Sequence, residues 1–353
     1  MVGYGENRVA RRAGVEAVAD FRSDTVTRAT QEMPDVMASA VVGDDVYGED
    51  PSVNELQEQV ASITGKAAAL YLPSATQANL AAVLSHCGRG DEVLGGSTYH
   101  ILCAEAGGIS ALGSVVACPI PVAADGSISE DQIRQAVKPD DPHYPVSRLL
   151  CLENTVSGSV QPAERIDTLA STAKELGLST HLDGARLFNA AVACGVEVSA
   201  FLGRIDSVTL CLSKGLGVPM GAVLAGDHAT IRRALRLRKM LGGGQRQVGH
   251  IAAAGLYALT HHIQRLEKDH ARAARLASEL NDIDLVTARA ATNMVFVEVP
   301  PEHRDAVKAQ AEAVGLALGG FQAEGLRIVC HLDIDDTAVR LLIEAFAEGL
   351  ARG

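Results

Sequence analysis

The stretch that decides the fold of this chain is VTLCLSKGLG, residues 208–217. Its first half is a predominantly apolar run with the length of a buried strand, and its second half is a glycine-bounded loop that carries Lys214. An upstream stretch, LSTHLDGAR at residues 178–186, is interpreted as a second such strand and places Asp183 directly after it. Because a charged side chain is costly at the end of a buried strand unless it is used, the two stretches indicate a site where two strands end.

Outward from these stretches, short apolar runs alternate with helix-like segments from about residue 66 to residue 262. The clearest helix places Ile166, Leu169, Ala170 and Ala173 at helical spacing. Such alternation predicts an α/β fold with a mostly parallel sheet that has helices on both faces. In this architecture ligands bind beyond the carboxyl ends of the strands.

The pattern of predicted secondary structure changes near residue 263, where a long charged helix leads into two β-rich runs and a last helix. We interpret this part as a smaller α+β domain. The predicted organisation is therefore an N-terminal segment (1–28), a large domain (29–262) and a small C-terminal domain (263–353).

The pair formed by Lys214 and Asp183 indicates a chemistry. A pyridoxal 5′-phosphate (PLP) enzyme requires a lysine that forms a Schiff base with the cofactor and a carboxylate that holds the proton of the pyridine nitrogen. His100 also follows a strand-like run (92–95), where an imidazole could stack on a flat ring and exchange protons. The alternative is that the lysine and the aspartate are ordinary polar residues at the ends of two strands, with no role in catalysis.

Two segments are candidates for holding a phosphate. Residues 72–77, LPSATQ, join a strand to a helix, so that backbone N–H groups and the hydroxyls of Ser74 and Thr76 could face an anion; an ordinary helix cap is the alternative. Residues 238–246 place basic side chains around three consecutive glycines, which suit either an anion site or a solvated helix end.

Composition excludes several classes of function. The net charge of −12 disfavours nucleic acid and anionic membranes as partners, and no apolar run has the length of a membrane span. The seven cysteines lack a C-x-x-C pair and are expected to be reduced, as in a cytoplasmic protein. No grouping of His, Cys and Asp has metal-ligand spacing, so we predict no metal site. His261, His262 and His270 are expected in solvent.

Six motifs together resemble one family. They are FRSDTVT (21–27), GDDVYGEDP (43–51), HLDGAR (181–186), LSKGLG (212–217), RKM with the glycine run to Arg246 (238–246), and TNM (292–294). With this spacing the chain resembles the low-specificity L-threonine aldolases from about residue 21 to its C-terminus. The resemblance implies the aspartate-aminotransferase-like fold (fold type I), with a large PLP-binding domain built on a mostly parallel sheet of the seven-stranded type. It also implies cleavage of β-hydroxy-α-amino acids to glycine and an aldehyde.

The resemblance implies cofactor roles residue by residue. Lys214 is the Schiff-base lysine, Asp183 is the partner of the pyridine nitrogen, and His100 stacks over the ring. The phosphate is held by the segment Ser74, Ala75 and Thr76, with help from Lys239 and Arg246 of a neighbouring subunit. The implied assembly is a homo-oligomer with shared sites, a tetramer built as a dimer of dimers.

The substrate side of the site follows from the same resemblance. Ser23, Arg186 and Arg327 hold the substrate carboxylate, a task that suits a guanidinium fork, and Arg186 also contributes to the cofactor site. His143 corresponds to a histidine that assists as a base, directly or through water, so that His100 and His143 both remain candidates for the base.

The chain departs from the family pattern at three places. The usual Thr-Gly-Thr phosphate loop is Ser74-Ala75-Thr76, an aromatic residue is replaced by Ala104, and a histidine is replaced by Val156. The last two changes are expected to widen the range of substrate side chains to include L-phenylserine. A β-eliminating lyase or an aminotransferase acting on a small amino acid would use the same Lys214 and Asp183 and remains the alternative, and a PLP-dependent sensor is disfavoured by the lack of a basic DNA-binding segment.

Overall fold

The computed structural model describes residues 18–322 and 325–352, so the first seventeen residues of the predicted N-terminal segment lie outside the described part. The chain divides into two compact units. The larger unit comprises Ala29–Ser213 and Val218–Ile263, and the smaller unit comprises the described part of Met1–Arg28, together with Lys214–Gly217 and Gln264–Gly353.

The described strands are, in chain order, β1 (Ala19–Asp20), β2 (Ala68–Leu72), β3 (Glu92–Gly96), β4 (Val116–Ile120), β5 (Ser147–Glu153), β6 (Ser179–Gly184), β7 (Ser207–Cys211), β8 (Ala222–Gly226), β9 (Thr287–Ala291), β10 (Met294–Glu298), β11 (Leu316–Ala317), β12 (Phe321–Gln322) and β13 (Gly325–Val329). The α-helices are α1 (Met33–Ala38), α2 (Pro51–Thr64), α3 (Ala75–His86), α4 (His100–Cys103), α5 (Gly108–Ala111), α6 (Glu130–Ala136), α7 (Ala163–Glu175), α8 (Leu187–Cys194), α9 (His228–Met240), α10 (Gly249–His261), α11 (Leu266–Asn281), α12 (Arg304–Ala313) and α13 (Asp336–Arg352). Short 3₁₀ helices lie at Asp24–Val26, Asp45–Tyr47, Val198–Phe201 and Pro301–His303.

The larger unit is built on a seven-stranded sheet with the strand order β2-β8-β7-β6-β5-β3-β4. Strand β8 runs antiparallel to both of its neighbours, and the other pairs are parallel. Strands β3, β7 and β8 are buried along their whole length, as in a sheet with both faces covered. The predicted mostly parallel sheet of seven strands is confirmed.

Helix α7 shows why the sequence forms these elements. Its residues Ile166, Leu169, Ala170 and Ala173 are buried, which confirms the stripe predicted from their spacing. Gly177 follows the helix with a φ of +77°, a left-handed conformation that a glycine adopts without steric cost. The chain can therefore turn at once into β6.

The smaller unit contains a four-stranded antiparallel sheet with the order β12-β13-β10-β9. Apolar side chains of its sheet and of α11 and α13 form one core, which includes Leu276, Val297, Ile328 and Phe346. The sequence did not predict β9, because its alanine-rich sequence has a weak strand preference and only its pairing with β10 holds it in the sheet. The α+β character predicted for this part is confirmed.

Among the described residues, every helix is either too short or too polar to cross a lipid bilayer.

Candidate active site

Asp183 lies in β6 one residue before the strand ends, and its residue surface is 1% exposed. Its Oδ1 accepts a hydrogen bond from the backbone N–H of Ala185 at 2.9 Å, and its Oδ2 accepts one from Nδ2 of Asn79 at 2.8 Å. The register of the sheet places Asp183 between Glu153 of β5 and Thr209 of β7. The two N–H donors therefore fix the orientation of this carboxylate at the end of the strand.

Asn79 joins Asp183 to a second carboxylate. Its Nδ2 also donates to Oε1 of Glu105 at 2.9 Å, so that one neutral amide binds two buried acids. The other oxygen of Glu105, Oε2, is buried and has no hydrogen-bond partner among the described residues. Burial raises the pKa of Glu105, and hydrogen bonds from His100 and Asn79 oppose the rise.

His100 begins α4, directly after the turn that follows β3. Its Nδ1 lies 2.9 Å from Oε1 of Glu105, and its backbone N–H donates to Oε2 of Glu153 at 2.6 Å. The contact with Glu105 therefore orients the ring, and the side chain is 45% exposed. The structure brings His100 and Asp183 together through Glu105 and Asn79.

The geometry of this cluster also resembles a cation site. Ligand atoms of His100, Glu105 and Asp183 lie within 4.8 Å of one another, and the sequence analysis did not group these three residues. Both carboxylates already accept hydrogen bonds from Asn79. The absence of a metal site therefore stays a prediction.

The candidate phosphate segment lies at the start of α3. Ser74 is the N-cap, and its Oγ accepts a hydrogen bond from the backbone N–H of Gln77 at 3.2 Å. Ser74 and Thr76 are exposed and Ala75 is half-buried. A helix of twelve residues therefore presents its positive end and two accessible hydroxyls, which is an arrangement that can bind an anion.

The glycine run after α9 packs against that same helix start. A Cβ at Gly243 would lie 1.9 Å from Oε1 of Gln77, so the glycine lets this side chain approach the run closely. Nε2 of Gln77 donates to the carbonyl of Leu241 at 3.3 Å. Lys239 is exposed, and Nη1 of Arg246 contacts Oδ2 of Asp44 at 2.9 Å. The larger unit thus holds Arg246 against an acid of its own chain.

The neighbouring acid, Asp45, forms a different kind of pair. Its Oδ2 lies 2.9 Å from Nη1 of Arg238, and both side chains are only 4% exposed. Burial raises the pKa of Asp45, and the guanidinium opposes the rise. For Asp44 the burial effect is outweighed by hydrogen bonds from Arg246 and from the backbone N–H of Val46, which lower its pKa.

Two further candidates of the larger unit lie at helix and loop positions. Arg186 is the N-cap residue of α8 and is half-buried, and its backbone N–H donates to the carbonyl of Asn154 at 3.3 Å. His143 lies in the loop before β5, with a side chain that is 85% exposed and an Nδ1 that is 2.7 Å from Oδ1 of Asp141. No hydrogen bond described for His143 joins it to the cluster around Asp183.

The two departures that are expected to widen the substrate range differ in exposure. Ala104 follows α4 and is exposed, whereas Val156 is buried and packs against Gly126. Ala104 directly precedes Glu105 in the sequence, so this departure lies next to a residue of the cluster described above.

Lys214, Ser23 and Arg327 belong to the smaller unit. Lys214 is half-buried, and its carbonyl accepts a hydrogen bond from Gly217, whose φ of +73° and close approach to the carbonyl of Arg28 require a glycine. Ser23 caps the 3₁₀ helix that follows it, with its Oγ accepting from the backbone N–H of Thr25 at 3.2 Å.

Arg327 is exposed on β13, and its Nη2 donates to the carbonyl of Arg22 at 3.4 Å. Because Arg22 directly precedes Ser23, the structure brings Ser23 and Arg327 to the same part of the smaller unit.

Asn79 and Glu105 were not predicted from the sequence, and two histidines are less exposed than expected. The signal for Asn79 was an amide inside an otherwise apolar helix segment, and Glu105 follows His100 by five residues. The expectation that His262 lies in solvent is wrong, because its residue surface is 4% exposed and its ring packs edge-on against Tyr257. His270 is half-buried rather than in solvent, and this burial lowers its pKa to about 4, whereas His261 is exposed as expected.

Residues 20–301 match the family model of the beta-eliminating lyases. The chain is 46% identical over 315 residues to the low-specificity L-threonine aldolase of Escherichia coli strain K12, a match that covers 89% of this chain and 94% of the bacterial protein. It is 39% identical over 345 residues to low-specificity L-threonine aldolase 1 of Arabidopsis thaliana, covering 94% and 96% of the two chains. Its fold is similar to that of the threonine aldolase of Leishmania major, with a TM-score of 0.80, 19% identity, and coverage of 93% and 98%. The chain therefore belongs to the beta-eliminating lyase family and, within it, to the low-specificity L-threonine aldolases.

Proposed function

We propose that this protein is a PLP-dependent aldolase that cleaves L-threonine, L-allo-threonine and related β-hydroxy-α-amino acids, including L-phenylserine, to glycine and an aldehyde. The observation that carries the proposal is the buried carboxylate of Asp183, which two N–H donors hold at the end of a parallel strand in a chain closely similar to known threonine aldolases. The reaction breaks a carbon–carbon bond and makes the protein an aldehyde-lyase.

The side chains of the larger unit fit PLP. Asp183 keeps lone pairs for a protonated ring nitrogen beyond those that accept from Asn79 and Ala185. Ser74, Ala75 and Thr76 at the start of α3 fit its phosphate. When bound, PLP supplies the electron sink that accepts the electron pair of the breaking bond.

Each remaining cofactor role is assigned to one side chain. Lys214 would hold PLP covalently through its Nζ, and Asp183 would hold the proton of the ring nitrogen. His100 would cover one face of the ring, and its bond to Glu105 supports this role because it fixes the imidazole at Nδ1.

Substrate orientation is assigned to Ser23, Arg186 and Arg327, which would bind the α-carboxylate. A carboxylate held at a fixed angle determines which bond at Cα lies in the cleavable orientation, so these residues would select Cα–Cβ cleavage over other reactions. The common location of Ser23 and Arg327 in the smaller unit supports this assignment.

Cleavage requires a base that removes the proton of the β-hydroxyl group. The candidates are Nε2 of His100 and an imidazole nitrogen of His143, the latter directly or through water. The exposed loop position of His143 gives it access to solvent, and the partly exposed ring of His100 is already oriented by Glu105. Both therefore stay candidates.

We further propose a cytoplasmic homotetramer, built as a dimer of dimers, in which Lys239 and Arg246 bind the phosphate of a neighbouring subunit's cofactor. The exposure of Lys239 and of the Arg246 side chain, which is 56% exposed, supports contacts with another chain. All seven cysteines are free thiols, which supports a reducing compartment.

The description of the family model names one rival activity, that of a β-eliminating lyase. The two reactions give different products, so the test is to incubate the PLP-loaded protein with L-threonine, L-allo-threonine and L-phenylserine. Glycine with acetaldehyde or benzaldehyde supports the proposal. Formation of ammonia and a 2-oxo acid in place of glycine would establish the rival.

A further inference from the structure

A series of hydrogen-bonded side chains extends from Asp183 along α3. Oδ1 of Asn79 lies 3.3 Å from Nε2 of His181, Nδ1 of His181 lies 2.9 Å from Oγ of Ser207, and that Oγ lies 2.8 Å from Nε2 of His86. We call Asn79, His181, Ser207 and His86 the α3 relay. Asn79, His181 and Ser207 are completely buried, and none of the four has a role in the reaction described above.

The relay is a consequence of the local geometry. Asn79 and His86 are seven residues apart in α3 and share one face of that helix. His181 and Asp183 are two residues apart in β6 and share one face of the sheet, and Ser207 of β7 is the register partner of His181. A polar row on the helix therefore meets a polar row on the sheet where apolar packing is the usual solution.

The chemistry of the groups fixes the direction of the first bonds. Two carboxylate oxygens, from Asp183 and Glu105, approach the same atom of Asn79, and ionised carboxylates only accept hydrogen bonds. That atom must therefore be the NH₂ group, and Oδ1 of Asn79 must face His181. Since an amide oxygen only accepts, Nε2 of His181 must carry a hydrogen.

The remaining bonds follow from the same logic. Burial lowers the pKa of His181 to about 3, so its ring is neutral and its Nδ1 is bare. The hydroxyl of Ser207 must then donate to that nitrogen, and its oxygen accepts from Nε2 of His86. Every hydrogen in the relay is thereby assigned, and all donors point toward the Asp183 end.

An amide cannot pass a proton along such a chain, because Asn79 has no titratable hydrogen in this range. The relay is therefore unsuited to proton transport between His86 and Asp183. What it does is lock the amide of Asn79 in one of its two orientations, with both hydrogens aimed at carboxylates.

We propose that His181, Ser207 and His86 are positioning residues that lock Asn79 so that its amide holds the charged carboxylate of Asp183 in place for the cofactor's ring nitrogen. This inference rests on the proposed function only in naming the cofactor as the ligand of Asp183. Buried polar groups that are all satisfied give a unique arrangement, which is the property needed by a carboxylate that must meet one atom of a ligand.

The first test uses the unaltered full-length protein with ¹⁵N-labelled histidine. Long-range ¹H–¹⁵N correlation spectra report which ring nitrogen carries the hydrogen, and His181→Gln identifies the signal. We expect the hydrogen of His181 on Nε2 with Nδ1 bare at neutral pH. A hydrogen on Nδ1, or a doubly protonated ring, would overturn the proposal without reference to any activity.

The second test compares two buried serines. Ser207→Ala breaks the relay, whereas Ser85→Ala removes a hydroxyl of similar burial that only bonds the carbonyl of Ala81 in its own helix. The affinity of each protein for PLP is measured by titration of the stripped protein. We expect Ser207→Ala to bind PLP about three- to tenfold more weakly than the parent, which is the effect of about one hydrogen bond, and Ser85→Ala to bind like the parent.

Ser207→Thr retains the hydroxyl and is expected to recover the affinity. Equal PLP affinity in Ser207→Ala and the parent, or an equal loss in Ser85→Ala, would contradict the proposal. If Ser207→Ala does not fold, the histidine spectra of the parent decide alone. If the parent itself does not bind PLP, the proposed function fails, and the spectra still decide whether the relay locks Asn79.

Discussion

Two acidic regions of the larger unit differ in the partners that stabilise their carboxylates. In the loop before α2, Asp44 and Asp45 each face a guanidinium, from Arg246 and Arg238. In the cluster at the end of β6, Asp183 and Glu105 share the neutral amide of Asn79. The first region pairs its carboxylates with arginines of the same chain, whereas Asp183 in the second region accepts its hydrogen bonds from a neutral amide and a backbone N–H.

The difference indicates where a ligand is needed. A buried carboxylate that meets a cation of its own chain has its charge balanced, whereas one held only by neutral donors remains able to pair with a cation from outside. The protonated ring nitrogen of PLP would be such a cation for Asp183. We therefore propose a structural role for the paired region around Asp45 and a ligand-binding role for the cluster around Asp183.

The largest expected effect comes from removing the covalent hold on the cofactor while both acidic regions stay intact. Lys214→Ala should fold normally, lose the visible absorbance of lysine-linked PLP, and lose L-threonine cleavage by more than about a thousandfold, as when a catalytic nucleophile is removed. Absorbance spectra and glycine release measure this. Lys268→Ala, at an exposed lysine of the same unit, is the control, and unchanged turnover in Lys214→Ala would refute the role of the lysine.

Breaking the buried ion pair between Asp45 and Arg238 should lower the stability of the fold. Arg238→Met leaves Asp45 buried without its cation, which should lower the free energy of unfolding by about 3–5 kcal/mol, since breaking a buried pair costs that much. Denaturant unfolding at fixed protein concentration measures the change. The matched variant Arg246→Met, at an exposed arginine, should move the unfolding midpoint little. Similar losses in both variants would remove the contrast between the two pairs.

Substitution of Arg246 should instead weaken the retention of PLP. Arg246→Ala should retain PLP about tenfold less well on dialysis, because a charge-assisted contact to phosphate is lost. Mixing Arg246→Ala with Lys214→Ala chains should yield hybrid assemblies in which one site carries both defects and another carries none, so that some activity returns. A fully active monomer, or unchanged retention of PLP, would rule out the shared site.

The smallest effect concerns the pH dependence of stability. Because burial raises the pKa of Glu105 above its ordinary 4.5, the unfolded chain loses this proton at lower pH than the folded chain, so ionised Glu105 destabilises the fold at neutral pH. Stability from this group is regained as the pH falls through the folded pKa toward 4.5. Glu105→Gln should therefore be modestly more stable than the parent at pH 7, with the gap closing near pH 4.5. A gap that is constant with pH would show that the charge is not responsible.

The sequence predicted those parts of the site that local pattern determines. Asp183 and Lys214 became candidates because each is a charged residue at the end of a run of strand length, and Ser74 became one because it precedes a helical segment. Asn79 and Glu105 did not, since their importance arises from the packing of α3 on β6, and no local pattern encodes which residues of a helix face meet which residues of a strand. The edge strand β9 was missed for the same reason, because only pairing with β10 makes an alanine-rich segment a strand.

The central claim is that the cluster at the end of β6 is completed by a cationic ligand, and a titration of PLP into Asp183→Asn tests it most directly. The asparagine keeps the shape of the carboxylate and removes its charge, and Asp45→Asn is the matched control at the self-balanced pair. The account predicts that Asp183→Asn folds, binds PLP at least about tenfold more weakly and loses L-threonine cleavage, whereas folded Asp45→Asn binds PLP like the parent. Parental PLP affinity and turnover in Asp183→Asn would contradict the account.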